Sequence, residues 1–134
     1  MNRQTVVHAF QQVAMAHGYE FYFDDEKQIP TLVSKYPAVW LAPLQFLKIE
    51  GRKHGKITYS VKVYAMFNDL KLWEPRRISK MQKLEEDLVQ MFAEVSQYDG
   101  VVVVNDLKIK NESKGPIRYG ELVMVATAEV VTFF

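Results

Sequence analysis

Metal-ligating residue types follow one another near the N-terminus, where His17 precedes Asp24, Asp25 and Glu26. Imidazole nitrogens and carboxylate oxygens are ligands that divalent metals accept in proteins. A histidine near a helix end and a solvated acidic turn explain the same residues without a metal, because the helix dipole favours positive charge there. A metal-dependent enzyme is therefore our third hypothesis, and we predict no metal site and no cofactor.

A second acidic group, Glu85–Asp87, lies within a predicted helix. Consecutive helical residues point in different directions, so these carboxylates cannot converge on one substrate atom. Lys83 and Asp87 are four residues apart, which predicts an exposed ion pair. The chain has no cysteine nucleophile and no GxxxxGK[ST], GxGxxG, HExxH or GxSxG motif. These observations predict that the protein is not an enzyme.

Basic residues form two groups. Arg76 and Arg77 precede a predicted helix, where positive charge opposes the helix dipole and is explained either by solvation or by an acidic partner. The other group, residues 52–56, lies in a predicted hairpin turn. The whole chain has 17 Lys and Arg against 16 Asp and Glu, a formal charge of +1. Nucleic-acid binders usually show a clear basic excess, so we expect no nucleic-acid partner.

The composition is that of one globular domain spanning residues 1–134, with 49% hydrophobic and 25% charged residues. No apolar run approaches the ~20 residues of a membrane span, so no membrane partner is expected. The first twenty residues are too polar for the apolar segment of a signal peptide. We therefore expect the protein to be made and assembled in the cytoplasm.

Apolar residues at three- and four-residue spacing predict two helices. The first spans residues 2–17 and ends at Gly18, which can adopt the left-handed conformation of a C-cap. The second carries its apolar stripe from Ile78 to Val95. Its start has two interpretations: Pro75 lies in the first turn, or Ser79 forms a capping box with a glutamine.

Alternating runs predict strands at residues 19–24, 38–42, 44–67 (folded as a hairpin), 100–110 and 121–134. Residues 24–35 are polar and contain a proline, which predicts a surface connection. This order predicts an α+β fold, a two-layer sandwich in which both helices pack on one face of a mostly antiparallel, curled sheet.

The strands carry more apolar residues than one buried face requires. In Gly55–Asn68 one face is a core face, and the other carries Tyr64 and Met66 beyond three polar residues. The last strand is apolar on both faces and ends in two phenylalanines. Either the sheet covers its second face within the chain, or another subunit covers it. The residues that we predict to lie at such a subunit interface are Lys62, Tyr64, Met66, Arg76, Arg77, Phe133 and Phe134.

Taken in order, the elements resemble the tail-terminator, or tail-completion, proteins of tailed bacteriophages and prophages. The resemblance lies in a helix ending at Gly18, "YPAVWLAP" entering a hairpin, the strand "ITYSVKVYAMF", the helix "ISKMQKLEEDLVQMFAEV" and the closing strand "VMVATAEVVTFF". It covers nearly the whole chain and contains no diagnostic motif.

The resemblance implies a non-enzymatic structural protein that self-associates into a ring, terminates the tail tube and docks to the head connector. Tail-tube and head-connector proteins would be its partners. It would assemble in the bacterial cytoplasm and remain in the virion tail. Two loops would contact ring neighbours or the tube, through Arg52, Lys53, His54, Lys56, Lys114, Arg118 and Tyr119.

A small-ligand binding module is the second hypothesis. A curled sheet roofed by a long helix can enclose a pocket. The residues that would line it are Trp40, Tyr59, Phe67, Met81 and Phe92. The same residues at these spacings are equally typical of a plain core.

Overall fold

The structure, a computed structural model, describes residues 2–33, 35–68, 74–111 and 121–134. The helices are α1 (Asn2–Ala16), α2 (Ile29–Leu32) and α3 (Glu74–Val95), with a 3-10 turn at Glu26–Gln28. The strands are β1 (Glu20–Phe23), β2 (Ala38–Leu41), β3 (Gln45–Gly51), β4 (Gly55–Asn68), β5 (Val101–Asn111) and β6 (Glu121–Phe133). The predicted hairpin is therefore β3 and β4.

The six strands form one open sheet in the order β1-β2-β4-β6-β5, and β3 also pairs with β4. Only β1 and β2 are parallel neighbours; the other pairs are antiparallel. β2 and β3 lie end to end along the same edge of β4, since β2 pairs with residues 63–66 and β3 with residues 55–60. The two long helices pack on one face, so the predicted α+β sandwich is confirmed.

Both long helices have the ends that local chemistry favours. Gly18 follows α1 with φ at 82°, and Tyr19 N–H donates to Ala14 O, which satisfies a carbonyl of the last turn. α3 begins at Glu74, so Pro75 lies in its first turn and Ser79 lies inside the helix. Of the two interpretations of this start, the one with proline in the first turn is correct.

The helix-covered face of the sheet holds the larger core. In β4 the side chains of Tyr59, Val61, Val63 and Ala65 are buried there, and Ile57 and Phe67 are partly buried beside them. α1 contributes Phe10 and α3 contributes Phe92, whose rings meet edge to face with centroids 5.1 Å apart. The predicted alternation of β4 is confirmed.

The opposite face has a smaller core that the chain closes itself. Ile29 and Val33, one helical turn apart, are fully buried and pack over Trp40, Tyr64 and Met66. The prediction that residues 24–35 are only a surface connection is therefore wrong. Because most of their neighbours in the sequence are polar, Ile29 and Val33 form no apolar pattern that predicts burial. One turn of helix nevertheless places both side chains on the sheet.

This small core corrects part of the predicted subunit interface. Tyr64 is 1% exposed and Met66 is 0% exposed within the single chain. Their side chains therefore offer no surface to a second subunit. The sequence left two possibilities for the second face: cover by the chain itself or cover by another subunit. Over this half of the face, α2 and Val33 of the same chain provide the cover.

A buried polar contact joins the start of β1 to α3. Tyr19 Oη donates to Asp87 Oδ2 at 2.6 Å, and Lys83 Nζ donates to Asp87 Oδ1 at 2.7 Å. Burial, followed by the bond to Asp87 and its charge, raises the pKa of the Tyr19 hydroxyl above its ordinary value. The predicted Lys83–Asp87 pair is present, but Asp87 is only 4% exposed, so the expectation of a wholly exposed pair is wrong.

Replacing Tyr19 with phenylalanine should lower the free energy of unfolding by about 1–3 kcal/mol, because Asp87 would keep its burial and lose a donor. Urea denaturation measures the change. Tyr98→Phe, which removes the same hydroxyl from a half-buried ring on the same core, should change stability by less. Equal losses of stability in the two variants would show that the Tyr19–Asp87 hydrogen bond contributes no more to stability than the hydroxyl of Tyr98.

Replacing Ile29 with alanine should cost about 2–5 kcal/mol, the range for deleting a buried branched side chain. Leu32→Ala, in the same turn but with a 43% exposed side chain, should cost at most about 1 kcal/mol. Denaturation of both variants tests whether α2 closes the second core. A loss of stability in the Ile29 variant as small as that in the Leu32 variant would mean that the Ile29 side chain contributes no buried contact.

Candidate functional site

The β3–β4 hairpin extends beyond the helical layer. β4 has 14 residues and a length of ~46 Å, whereas the 15 residues of α1 span only ~22 Å and the 22 residues of α3 only ~33 Å. Arg3, in the first turn of α1, lies over the Tyr59 ring at 5.1 Å. All seven residues of β3 are exposed. We call residues 45–60, with Phe133 and Phe134, the arm.

The arm exposes large apolar side chains on both faces of the sheet. Their exposed fractions lie between 38% and 58%, and the residues are Phe46, Leu47, Ile49, Phe133 and Phe134. Phe46 pairs with Tyr59 and Ile49 with Ile57, which places both on the helix side. Phe133 pairs with Lys56 and lies on the opposite side. Exposed apolar side chains grouped in this way typically mark a binding surface.

The arm is held firmly at its base and along β6. Gly55 and Phe134 exchange two backbone hydrogen bonds, of 3.0 and 3.4 Å. Asn2 Nδ2 donates to Thr132 Oγ1 at 2.7 Å and also to Phe133 O. Arg3 Nη1 donates to Leu44 O at 2.6 Å, next to the start of β3. These bonds connect both chain ends to the arm, so its apolar side chains are presented on a defined backbone.

The tip of the arm is basic. The turn residues Arg52, Lys53 and His54 are exposed, as is Lys56, the second residue of β4. Lys56 is paired with Phe133, and Gly55 with Phe134. The structure therefore brings the predicted loop residues together with the two C-terminal phenylalanines, which are separated from them by most of the sequence.

The other predicted interface residues lie elsewhere. Arg76 is exposed and Arg77 half-buried near the start of α3, where Lys80 Nζ lies 4.4 Å from the Phe67 ring. Phe67 is at the opposite end of β4 from the arm, so the two arginines do not join this surface. Lys62 is half-buried on the second face, with its ammonium over the Tyr64 ring at 5.3 Å.

Three predicted loop contacts, Lys114, Arg118 and Tyr119, lie outside the described residues.

Three of the residues considered for metal binding, His17, Asp24 and Asp25, have structural partners. His17 Nε2 lies 2.9 Å from Glu94 Oε2 on α3, and Asp24 O accepts a bond from Trp40 Nε1. Asp25 Oδ1 accepts a bond from the Lys27 backbone amide. Among the described residues, no three histidine or acidic side chains are grouped in a way that could hold a metal ion.

The residues of the predicted ligand pocket do not share one cavity. Trp40 belongs to the smaller core, on the face opposite that of Tyr59 and Phe92. A cleft of about 320 Å³ lies instead beside α1, and its lining includes Val7, Phe23 and Leu44. None of the five predicted lining residues contacts this cleft.

Sequence reasoning overlooked the apolar residues of β3. The sequence places Phe46, Leu47 and Ile49 in the predicted hairpin and indicates no role for them, since a hairpin strand normally buries one face. The register shift between Phe46 and Lys48 makes Leu47 an extra residue, so two consecutive apolar side chains become exposed. The consecutive pair Phe46–Leu47, which breaks the alternation, was the signal available in the sequence.

Comparison with protein-family models gives no match, and comparison with curated protein sequences gives none either.

Among the described residues, no helix is both long enough and apolar enough to cross a membrane.

Replacing Gly55 with alanine should loosen the arm without unfolding the core. A Cβ at this position would overlap the Glu50 carbonyl oxygen and lie 2.8 Å from the Phe134 ring. Hydrogen exchange of the amides of residues 45–60 should accelerate at least about tenfold, the equivalent of ~1.4 kcal/mol. Lys53→Ala, at the exposed tip, is the control. Unchanged exchange in the Gly55 variant would show that the Gly55–Phe134 contact does not hold the arm.

Proposed function

We propose that this protein is a non-enzymatic structural subunit that self-associates through the arm into a ring. The observation that carries the proposal is the arm itself, which presents three large apolar side chains on the hairpin and two at the end of β6, on both faces of the sheet. Burial of apolar surface is the main driving force of stable association. Exposed apolar side chains grouped at one end of the sheet are best covered by another protein surface.

A second copy of the chain is the partner that this proposal requires first. The core already accounts for Tyr64, Met66 and Trp40. Of the large apolar side chains that are exposed in the described part of the chain, five are grouped in the arm, whereas the others are divided among five other elements: Met15, Phe23, Leu32, Ile78, Val89 and Val103. The basic tip disfavours contact with a basic partner surface, because like charges across an interface are unfavourable. Acidic residues Asp24 and Asp25 are exposed on the same chain and offer opposite charge to the basic residues of a neighbouring copy.

The order of elements supports a ring of the kind that terminates a phage tail tube. In this proposal the ring caps the growing tube and offers a docking surface to the head connector. The partners are tail-tube and connector proteins, and the protein assembles in the bacterial cytoplasm before it enters the virion tail. Its action is geometric, since a closed ring stops addition of further tube subunits.

The double variant Phe46→Ser, Ile49→Ser should weaken self-association about 100-fold, the effect of losing ~3 kcal/mol of interface free energy. Light scattering across a wide concentration range gives the mass of each species. The wild-type protein should form a discrete oligomer that electron microscopy shows as a ring.

The matched control is Ile78→Ser, Val89→Ser, which removes two exposed apolar side chains from α3. This variant should retain the wild-type mass. A wild-type protein that stays monomeric at high concentration, and that does not bind isolated tail-tube subunits, would overturn the proposed function. If both double variants weakened self-association equally, the arm would not be the surface through which the protein self-associates.

A further inference from the structure

Three strand edges of the sheet are open in the part of the chain that the structure describes. The shortest is the outer edge of β1, a strand of four residues that pairs only with β2. The two longer ones are the outer edge of β3, which pairs only through its inner edge with β4, and the outer edge of β5, the last strand of the sheet order. Open edges carry unpaired backbone N–H and C=O groups and are templates for pairing with another chain.

We infer that the β3 edge of one copy pairs with the β5 edge of the next copy, so that the sheet continues around the ring. This inference rests on the proposed self-association and identifies the backbone groups that carry it. The two edges are different surfaces of the chain. Contact between them is therefore head-to-tail, which generates a ring when the rotation closes.

Strand directions suit this contact. β4 pairs antiparallel with β6, and β6 antiparallel with β5, so β5 runs in the direction of β4. β3 runs opposite to β4. When copies are related by rotation about an axis along the strands, β3 meets the next β5 antiparallel and the helix sides of both sheets coincide. Antiparallel pairing is slightly the more stable arrangement per residue.

The alternation of hydrogen bonds shows which groups face outward on β3. Gly55 directs its N–H and C=O to Phe134, so the same groups of Ile57 also face β6. Ile49, paired with Ile57, therefore turns its own N–H and C=O away from β4. These groups are available to an added strand.

The same reasoning identifies the outward groups of β5. Phe133 N–H donates to Gly100 O, so Phe133 directs its backbone groups toward β5 and Val130, three residues earlier, directs them away. Val104 is paired with Val130, and its N–H and C=O therefore face outward. Ile49 and Val104 both place their side chains on the helix side of the sheet.

Placing Ile49 opposite Val104 aligns the regular parts of both edges. The pairing puts Lys48 opposite Asn105 and Glu50 opposite Val103, with no like charges facing each other. Farther along β5, the exposed residues Lys108 and Lys110 lie in this pairing near the C-terminal end of β1 of the neighbouring copy. Asp24 and Asp25 are exposed there and follow Phe23 directly. This charge complementarity favours a second copy as the occupant of the edge.

The test uses the absence of cysteine from the chain. The double variant Glu50→Cys, Val103→Cys places thiols on the two edges at a non-hydrogen-bonded pair, whose Cα atoms would be ~4.5 Å apart. A disulfide accepts this separation. Mild oxidation should give a ladder of covalent multimers on a non-reducing gel, ending at the subunit number found by light scattering and collapsing to monomer on reduction.

The displaced pair Glu50→Cys, Lys110→Cys is the matched control, because its second thiol lies ~23 Å farther along the same edge. It should cross-link at least about tenfold more slowly. A discrete oligomer in which the first pair fails to cross-link, or links no faster than the control, would overturn the edge pairing and leave the proposed function standing. A protein that remains monomeric without oxidation would overturn both.

Discussion

The pairing of β4 with β6 is the constraint on which the rest of the structure depends. Thirteen residue pairs, from Lys56–Phe133 to Asn68–Glu121, connect these strands along almost their whole length. A ladder this long exceeds what α1 and α3 can cover on the helix side. The covered part becomes the core, and the arm extends from Tyr59, which still belongs to that core, to the uncovered end. Core and candidate site are therefore two parts of one strand pair.

The second face of the sheet is divided along the same ladder. Near the Asn68 end, Ile29 and Val33 close a small core over Trp40 and Tyr64. Toward the middle, Ser60, Lys62 and Thr127 form a half-buried polar surface. At the far end the exposed side chain of Phe133 makes the surface apolar. Each zone has a different relation to water, so one sheet face carries a core, a wetted surface and a candidate contact.

The polar contacts of the described residues connect elements of the fold to one another. Tyr19 and Asp87 join β1 to α3, and His17 meets Glu94 across the two long helices. Asn2 donates to Thr132 and Phe133 of β6, and Gly55 of the hairpin exchanges backbone hydrogen bonds with Phe134. Such contacts connect the arm to the rest of the sheet. An anchored arm with exposed apolar side chains, on a sheet with open edges, is suited to assembly, which is the basis of the function proposed.

Local rules acting on the sequence determined the two long helices, the left-handed C-cap at Gly18, the alternation of β4 and the α+β class, because periodicity and glycine chemistry act over a few residues. Only the tertiary structure decided which second-face residues are covered. Ile29 and Val33 reach Tyr64 and Met66 across long sequence separations, and no local pattern encodes that contact. Likewise, the arm exists because β4 is longer than either of the two helices that pack on it, a relation between elements that appears only when they pack.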